Sequence, residues 1–224
     1  MMSAIPDFDV ADADARGQLT YWFHSQGPCL SVREDEHYRW LLLDQVVQSV
    51  CQKACPEILC LPHQHLLQTL FPTHLNSILH LGLGGGDFVR WCHYRYPAIR
   101  QMAVDLNAEI VRLYQTYFQS EERIELAVAD AFRFLQETQS KYELVIIDLF
   151  ADDGAPAALF RAETYQNLLK CVPASGRVIV NLLPRTSQEI LQIQRLLRPW
   201  GEVAHIQVAQ YRNHLIWTTP VAKM

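Results

Sequence analysis

The sequence lacks the features of nucleic-acid-binding, membrane and secreted proteins. It contains no long basic run, its formal net charge is −5 and its pI is about 6.0, which argues against a nucleic-acid partner. No apolar stretch reaches the ~18 residues that a membrane span requires. The acidic, polar N-terminus contains no signal-peptide core. We therefore expect a cytoplasmic protein that binds neither nucleic acid nor membrane.

The motifs of serine hydrolases and zinc proteins are also missing. No G-x-S-x-G nucleophile motif is present. The six cysteines do not form a paired C-x-x-C pattern, and we expect buried thiols of a reducing compartment. His63 and His65 are two residues apart, which on a helix points them to different faces, so no metal site is expected.

Half of the 224 residues are hydrophobic, enough for one substantial core with a small appended region. Residues 1–17 read as a mobile tail. Short strand-like runs follow at 19–23, 29–33 and 40–43, and they predict a small antiparallel cap within an N-terminal region of residues 18–75. Residues 48–60 are ambiguous, and residues 62–70 predict a helix that links this region to residues 76–224.

One stretch organises the rest of the chain. An apolar run at 78–83 reads as a buried strand, three glycines follow at 84–86, and residues from Phe88 onward have helical spacing. Strand, glycine turn and helix together form the opening unit of a nucleotide-binding α/β domain. Glycine is needed there because the turn is tight and a ligand must approach the backbone closely.

The segments downstream alternate between strands and helices. We predict strands at 101–106, 124–129, 142–148 and 176–183, and helices at 107–118, 131–138, 163–171 and 187–197. This alternation predicts a parallel sheet with right-handed crossovers. Residues 203–208 and 215–219 predict a terminal antiparallel hairpin.

Ligands of open α/β sheets bind beyond the carboxyl ends of the strands. Four successive predicted strands end in or near an aspartate, and these residues are Asp87, Asp105, Asp130 and Asp148, the last followed by Asp152 and Asp153. Each aspartate alone could be a helix N-cap, and Asp130 directly precedes a helix. Four at one edge of the sheet favour a binding site.

The spacing suggests a role for each carboxylate. Asp105 lies 19 residues beyond Gly86, near the ~20-residue spacing of an acid that binds ribose hydroxyls. Asp130 and Ala131 can bind an adenine amino group and a ring nitrogen. The glycine loop lacks the Lys-Ser/Thr ending of a phosphate-binding loop, and Asp87 suits a cationic ligand group. An adenosine with a positively charged tail, such as a sulfonium nucleoside, fits this pattern.

With these motifs, residues 77–181 resemble the polyamine aminopropyltransferases, the spermidine and spermine synthases. The matching segments are Gly84-Gly85-Gly86-Asp87, Val104-Asp105-Leu106-Asn107, Ala129-Asp130-Ala131-Phe132-Arg133-Phe134-Leu135, Tyr142-Glu143-Leu144-Val145-Ile146-Ile147-Asp148, Gly154-Ala155-Pro156-Ala157-Ala158-Leu159-Phe160 and Glu163-Thr164-Tyr165. The resemblance implies an α/β fold with a class I methyltransferase-like Rossmann sheet, helices on both faces and a small N-terminal β-region. It also implies a homodimer.

The same resemblance implies decarboxylated S-adenosylmethionine as co-substrate and an amine as acceptor. Asp148 is then expected to deprotonate the amine, with Asp152 or Asp153 assisting. The expected nucleoside-binding residues are Gly84, Gly85, Gly86, Asp87, Asp105, Leu106, Asp130, Ala131 and Asp148. The expected amine-side residues are Gln48, His63 and Gln64.

Departures from the family pattern leave two alternatives open. Ala151 stands where the family has a second carboxylate, Phe88 replaces a glycine, and the family's Y-H-E segment reads Pro62-His63-Gln64. One alternative is methyl transfer from S-adenosylmethionine, although the usual acid before the glycine loop is His80 and Asp87 would repel that cofactor's carboxylate. The other is a non-catalytic nucleoside-binding protein.

Overall fold

The computed structural model describes residues 8–24, 27–151 and 154–220, and it forms two sheets. The first is a four-stranded antiparallel sheet in the order β1-β2-β3-β4. Its strands are β1 (Gln18–Phe23), β2 (Leu30–Glu34), β3 (Tyr38–Leu43) and β4 (Val46–Gln52). The predicted N-terminal cap is thus present, and its fourth strand begins just before the ambiguous segment and occupies the first part of it.

The N-terminal segment packs against this sheet from residue 8 onward. Phe8 and Ala13 are buried with Trp40 and Val50, and the Trp40 indole N–H donates to the Ala13 carbonyl at 2.9 Å. This part of the expected mobile tail is therefore held against the sheet, because an aromatic side chain and an indole partner anchor it. Residues 1–7 lie outside the described residues.

The second sheet has seven strands in the order β10-β11-β9-β8-β5-β6-β7. Its strands are β5 (Ser77–Leu81), β6 (Arg100–Asp105), β7 (Glu125–Val128), β8 (Leu144–Ile147), β9 (Arg177–Leu182), β10 (Glu202–Gln207) and β11 (His214–Thr219). Strands β5 to β9 are parallel, and β10 and β11 form the predicted antiparallel hairpin.

The helices cover both faces of this sheet, as the fold class predicts. They are α1 (Pro62–Gln68), α2 (Asp87–Arg95), α3 (Ala108–Leu113), α4 (Ala131–Glu137), α5 (Ala162–Cys171) and α6 (Ser187–Leu197). In β8, Val145 and Ile147 pack with α4, α5 and α6, whereas Ile146 packs with α1 and α2. Central strands buried on both faces are nearly continuous apolar runs, which is why the sequence revealed them.

The helix predicted at 107–118 changes type at its midpoint. Helix α3 ends at Leu113 and continues as a π-helix over Tyr114–Phe118. The buried side chains of Tyr114 and Phe118 belong to the same core cluster as the α2 residue Val89 and residues of β2 and β3. The π-helix therefore packs against both the glycine loop and the N-terminal sheet.

All six cysteines are free thiols, and four of them, Cys51, Cys60, Cys92 and Cys171, are buried. Cys29 and Cys55 are partly exposed. Within the described ranges, no helix combines the length and apolar character that crossing a membrane requires.

Candidate active site

The strand order creates a topological switch between β5 and β8. From β5 the chain proceeds to β6 and β7 on one side, and then returns to β8 and β9 on the other. Leu81 is level with Val104 in β6 and with Ile147 in β8. The next residues, Gly82, Asp105 and Asp148, therefore emerge side by side at the carboxyl edge, where ligands of such sheets bind.

Two glycines allow the turn after β5 to pass close to its neighbours. Gly82 has φ 98°, and a Cβ there would overlap the backbone carbonyl of Asp148. Gly86 has φ 73°, and a Cβ there would overlap the edge of the Tyr114 ring. From the sequence, we explained these glycines by the close approach of a ligand to the backbone. The structure adds that Gly82 and Gly86 are also needed because protein atoms pack directly against the turn.

Asp105 is held by backbone donors from two segments. Its Oδ2 accepts from the Leu83 amide at 3.0 Å, and its Oδ1 accepts from the Asn107 amide at 2.9 Å. Burial raises the pKa of Asp105, and these hydrogen bonds act in the opposite direction. Each carboxylate oxygen can accept a second hydrogen bond, so the fixed carboxylate can still bind ribose hydroxyls.

The side of the site where the sequence predicts adenine contacts lies after the adjacent strand β7. Asp105 is level with Val128, and the Ala129 amide donates to the Asp105 carbonyl at 3.0 Å. Asp130 follows, is exposed, and caps α4 by accepting from the Arg133 amide at 2.9 Å. Asp130 is thus the N-cap residue of α4, and in the part of the chain that the structure describes only its Oδ1 accepts a hydrogen bond.

Leu106 adds an apolar surface beside Asp105. It directly follows β6 and is 72% exposed. An exposed apolar side chain at a sheet edge can contact the face of an adenine ring. Ala131 is buried, so its contribution to a ligand is limited to its backbone.

Asp148 emerges from β8 next to the glycine turn and is only partly exposed. Its Oδ1 accepts a hydrogen bond from the Asn181 side-chain amide at 2.8 Å. Burial raises the pKa of Asp148 to about 6, with Asn181 acting against the rise and the Asp87 charge adding to it. A carboxylate with this pKa is ionised at neutral pH and is basic enough to accept a proton.

Asp87 is buried in an ion pair. Its Oδ1 lies 2.6 Å from the Arg90 guanidinium, and both side chains are almost fully enclosed. Its Oδ2 accepts from the Gln64 amide at 2.7 Å and from the Val50 backbone N–H at 3.2 Å. Burial raises the pKa of the Asp87 carboxyl, and the Arg90 charge opposes this rise.

These contacts change the roles expected for Asp87 and Gln64. Three donors already surround the Asp87 carboxylate, and Arg90 neutralises its charge, so it is not a free anion awaiting a ligand cation. Gln64 is 4% exposed, and its carbonyl oxygen accepts from the Leu61 amide at 3.1 Å, so both ends of its side chain are occupied. The structure places both residues in a buried network that joins β4, α1 and α2.

The other expected amine-side residues, Gln48 and His63, are partly exposed. Gln48 lies on β4 and is partly exposed, and His63 lies in the first turn of α1. Burial lowers the pKa of His63 to about 4, so its imidazole is neutral at pH 7.

Ala151 is exposed and pairs with Gly154 in a short bridge, whereas Asp152 and Asp153 lie outside the described residues.

Comparison with known proteins decides the family. The Spermine/spermidine synthase domain family matches residues 63–211, which is more than half of the chain. The chain belongs to this family. A polyamine aminopropyltransferase of Neisseria meningitidis is 24% identical over 197 residues, covering 83% of this chain and 74% of the relative. One from Moorella thermoacetica is 26% identical over 189 residues, covering 79% and 65%.

Solved structures agree on the fold. A probable spermidine synthase from Corynebacterium glutamicum superposes with a TM-score of 0.73 at 17% identity, covering 91% of this chain and 81% of that one. Human methyltransferase-like protein 13 in complex with SAH gives a TM-score of 0.64 at 17% identity, covering 73% and 84%. This spermine/spermidine synthase family member thus has the fold that is common to both groups.

Sequence reasoning missed two polar residues of this family member's site region. Arg90 lies in the apolar helix segment Phe88-Val89-Arg90-Trp91, and Asn181 interrupts the apolar run of β9. Both are buried, at 3% and 1% exposure. A single polar side chain within an apolar segment was the available signal, since such a residue requires a buried partner.

Proposed function

We propose that this chain is an aminopropyltransferase, which moves the aminopropyl group of decarboxylated S-adenosylmethionine to an amine. The observation that carries the proposal is the position of Asp148. Asp148 follows β8 at the level at which Asp105 ends β6, beside the sheet's topological switch, in a chain that belongs to the spermine/spermidine synthase family. A base thus adjoins the place where the tail of a bound nucleoside would lie.

The nucleoside half of the proposed site consists of three neighbouring strand ends. Asp105 would accept hydrogen bonds from the ribose hydroxyls, Leu106 would contact the adenine face, and Asp130 would accept from the adenine amino group. The turn at Gly84, Gly85 and Gly86 would lie beneath the sugar and the tail. Support comes from the fixed orientation of Asp105 and the exposure of Leu106.

The proposed reaction is a displacement at carbon. The amine nitrogen attacks the propyl carbon next to the sulfonium, a C–N bond forms, and the C–S bond breaks with its electron pair going to sulfur. Methylthioadenosine leaves, and the amine proton passes to Asp148. Positioning supplies most of the acceleration, and the base holds the amine in place and accepts a proton from it.

The acceptor side of the proposed site has few charged and polar side chains that could bind an amine. Ala151 replaces a carboxylate, Gln64 is engaged in the buried network, and Gln48 and His63 remain as polar contacts. With fewer anionic groups for a second ammonium, we expect weak activity with putrescine, or an acceptor other than putrescine. Asp152 and Asp153 stay candidates for assisting Asp148.

Methyl transfer from S-adenosylmethionine is the second candidate, because the Asp87 charge is already paired. A free Asp87 carboxylate would repel the amino-acid carboxylate of that cofactor, and Arg90 removes much of this repulsion. The fold is also shared with a methyltransferase-like protein. The family match favours aminopropyl transfer over this alternative.

We further propose that the chain forms a homodimer through the outer face of its N-terminal sheet. Leu19 and Trp22 are 47% and 59% exposed, and both line an open cavity of about 320 Å³ on this face. An exposed apolar patch of this kind suits a protein partner, and a second copy is the occupant we propose.

The free thiols support a reducing compartment, and we propose the cytoplasm.

Side-by-side titration calorimetry with decarboxylated and intact S-adenosylmethionine tests the co-substrate. We expect the decarboxylated compound to bind and to yield methylthioadenosine when an amine is added. Mass spectrometry of the amine product should show the added aminopropyl group. A methylated product from intact S-adenosylmethionine would replace the proposal with the second candidate, and nucleoside binding without any product would favour a non-catalytic binding protein.

A further inference from the structure

Asn181 is a buried amide inside the apolar strand β9. It is 1% exposed, so the donor and acceptor of its side chain must find partners within the protein. Its Nδ2 donates to Asp148 Oδ1 at 2.8 Å, and its Oδ1 accepts from the Asn213 Nδ2 at 3.0 Å. The side chains of Asn213, Asn181 and Asp148 thus form a hydrogen-bonded relay that ends on the proposed base.

Chemistry permits one satisfied orientation of this chain. An ionised carboxylate only accepts hydrogen bonds, so the NH₂ group of Asn181 must face Asp148. The Asn181 carbonyl then faces the NH₂ group of Asn213. The reversed amide would place its oxygen against the carboxylate and would leave Asn213 without its acceptor.

The outer residue of the relay is held by the C-terminal hairpin. Asn213 directly precedes β11, and its carbonyl accepts from the Val208 amide at 2.9 Å, which closes the loop between β10 and β11. Leu215 is level with Asn181 in the sheet. The hairpin, which is remote in sequence from the glycine loop, is therefore connected to the site through one buried amide.

We propose that Asn181 and Asn213 are positioning residues that fix the orientation of the Asp148 carboxylate, with Asn213 acting through Asn181. This inference rests on the proposed function of Asp148 as the base. A carboxylate free to rotate about its side-chain bonds would meet the amine in several geometries, whereas the relay holds one oxygen and leaves the other for the substrate.

The relay has a measurable electrostatic consequence. Burial and the charge of Asp87, at the start of α2, raise the pKa of Asp148, and the Asn181 amide opposes them by donating to the ionised form. In the described part of the chain, Asp87 is the titratable group that acts on Asp148, and Arg90 pairs with Asp87. Removing the Asn181 donor should therefore raise the pKa of Asp148 further.

Carbon-13 NMR titration of the aspartate carboxyls measures this pKa without any assay of activity. We expect Asn181→Leu to raise the pKa of Asp148 by about one pH unit, a tenfold change in its acid dissociation constant, and Asn213→Ala to raise it less. Asn167→Leu is the matched control, because Asn167 is also a buried asparagine but lies on α5 and pairs with Lys170. It should leave the pKa of Asp148 unchanged.

Kinetics provides the second readout. The acidic limb of the kcat profile should move to higher pH in Asn181→Leu by the same amount as the pKa, which lost stability alone would not cause. If the pKa of Asp148 is unchanged in folded Asn181→Leu, the proposal that the relay orients Asp148 is overturned. If Asn181→Leu does not fold, an unchanged pKa of Asp148 in Asn213→Ala overturns it. If the pKa shifts but the chain transfers no aminopropyl group, the proposed function is wrong. The proposal that the relay orients Asp148 is then still supported.

Discussion

Arg90→Met tests the buried network beneath the glycine loop. In the native chain the Arg90 guanidinium donates to Asp87 and to the backbone carbonyls of Pro56, Gly85 and Phe118. Methionine keeps much of the volume but leaves four acceptors without this donor, one of them a charged carboxylate. Removing one member of a buried ion pair costs about 3–5 kcal/mol, because the remaining charge is uncompensated.

For a chain of this size, that loss corresponds to a fall in Tm of about 6–20 °C. Urea unfolding followed by circular dichroism, with thermal scans alongside, measures both quantities. The matched control is Arg133→Met, whose guanidinium lies 2.7 Å from Glu137 but is largely exposed. Exposed helix pairs contribute about 0.3–0.5 kcal/mol, so this variant should be nearly as stable as the wild type.

The pH dependence identifies the cause of the loss. Without Arg90 the pKa of Asp87 should rise further, so the folded variant takes up a proton that the unfolded chain has released. The penalty should therefore shrink as the pH falls, and Asp87→Asn added to Arg90→Met should recover part of the stability. Equal stabilities of Arg90→Met and Arg133→Met would refute this account of the network.

Three further predictions concern the nucleoside, the base and the dimer. Asp105→Ala should weaken methylthioadenosine binding at least tenfold in calorimetry, since each hydrogen bond to a charged group contributes about 1.5–3 kcal/mol; unchanged affinity would remove Asp105 from the site. Asp148 has a pKa of about 6 in the folded chain and an ordinary value of 3.8, so the unfolding free energy should fall as the pH rises from about 3.8 to about 6. Asp148→Asn should lack this pH dependence. Trp22→Ser should shift the chain from dimer to monomer in sedimentation, and a monomeric wild type would contradict the proposed interface.

The sequence predicted the Rossmann sheet because its central strands are buried on both faces. Continuous apolar runs such as the one ending at Ile147 are readable without knowledge of neighbours. Strand β4 was ambiguous because polar Gln48 and Ser49 interrupt its apolar residues, and its pairing with β3 decides its conformation. Tertiary contacts likewise placed Phe8 against the sheet, which the polar composition of residues 1–17 did not indicate.

The sequence predicted the position of the candidate site better than the roles of its residues. Asp105 and Asp148 follow strands, and strand order alone brings them together. The partners of Asp87 were not predictable, because Gln64 and Val50 come from distant segments and the burial of Arg90 depends on the N-terminal sheet. An aspartate after a glycine loop has the same sequence signature whether it faces a ligand or a buried arginine.

The most direct test of the account is the rate of methylthioadenosine release from decarboxylated S-adenosylmethionine, measured with a panel of amines for wild type and Asp148→Asn. The account predicts amine-dependent release by the wild type, weak with putrescine, which rises as the pH passes through about 6. It predicts at least a hundredfold loss in Asp148→Asn, since general base catalysis contributes roughly 10²–10⁴-fold. Full activity in that variant, or no release by the wild type with any amine, would contradict the central claim.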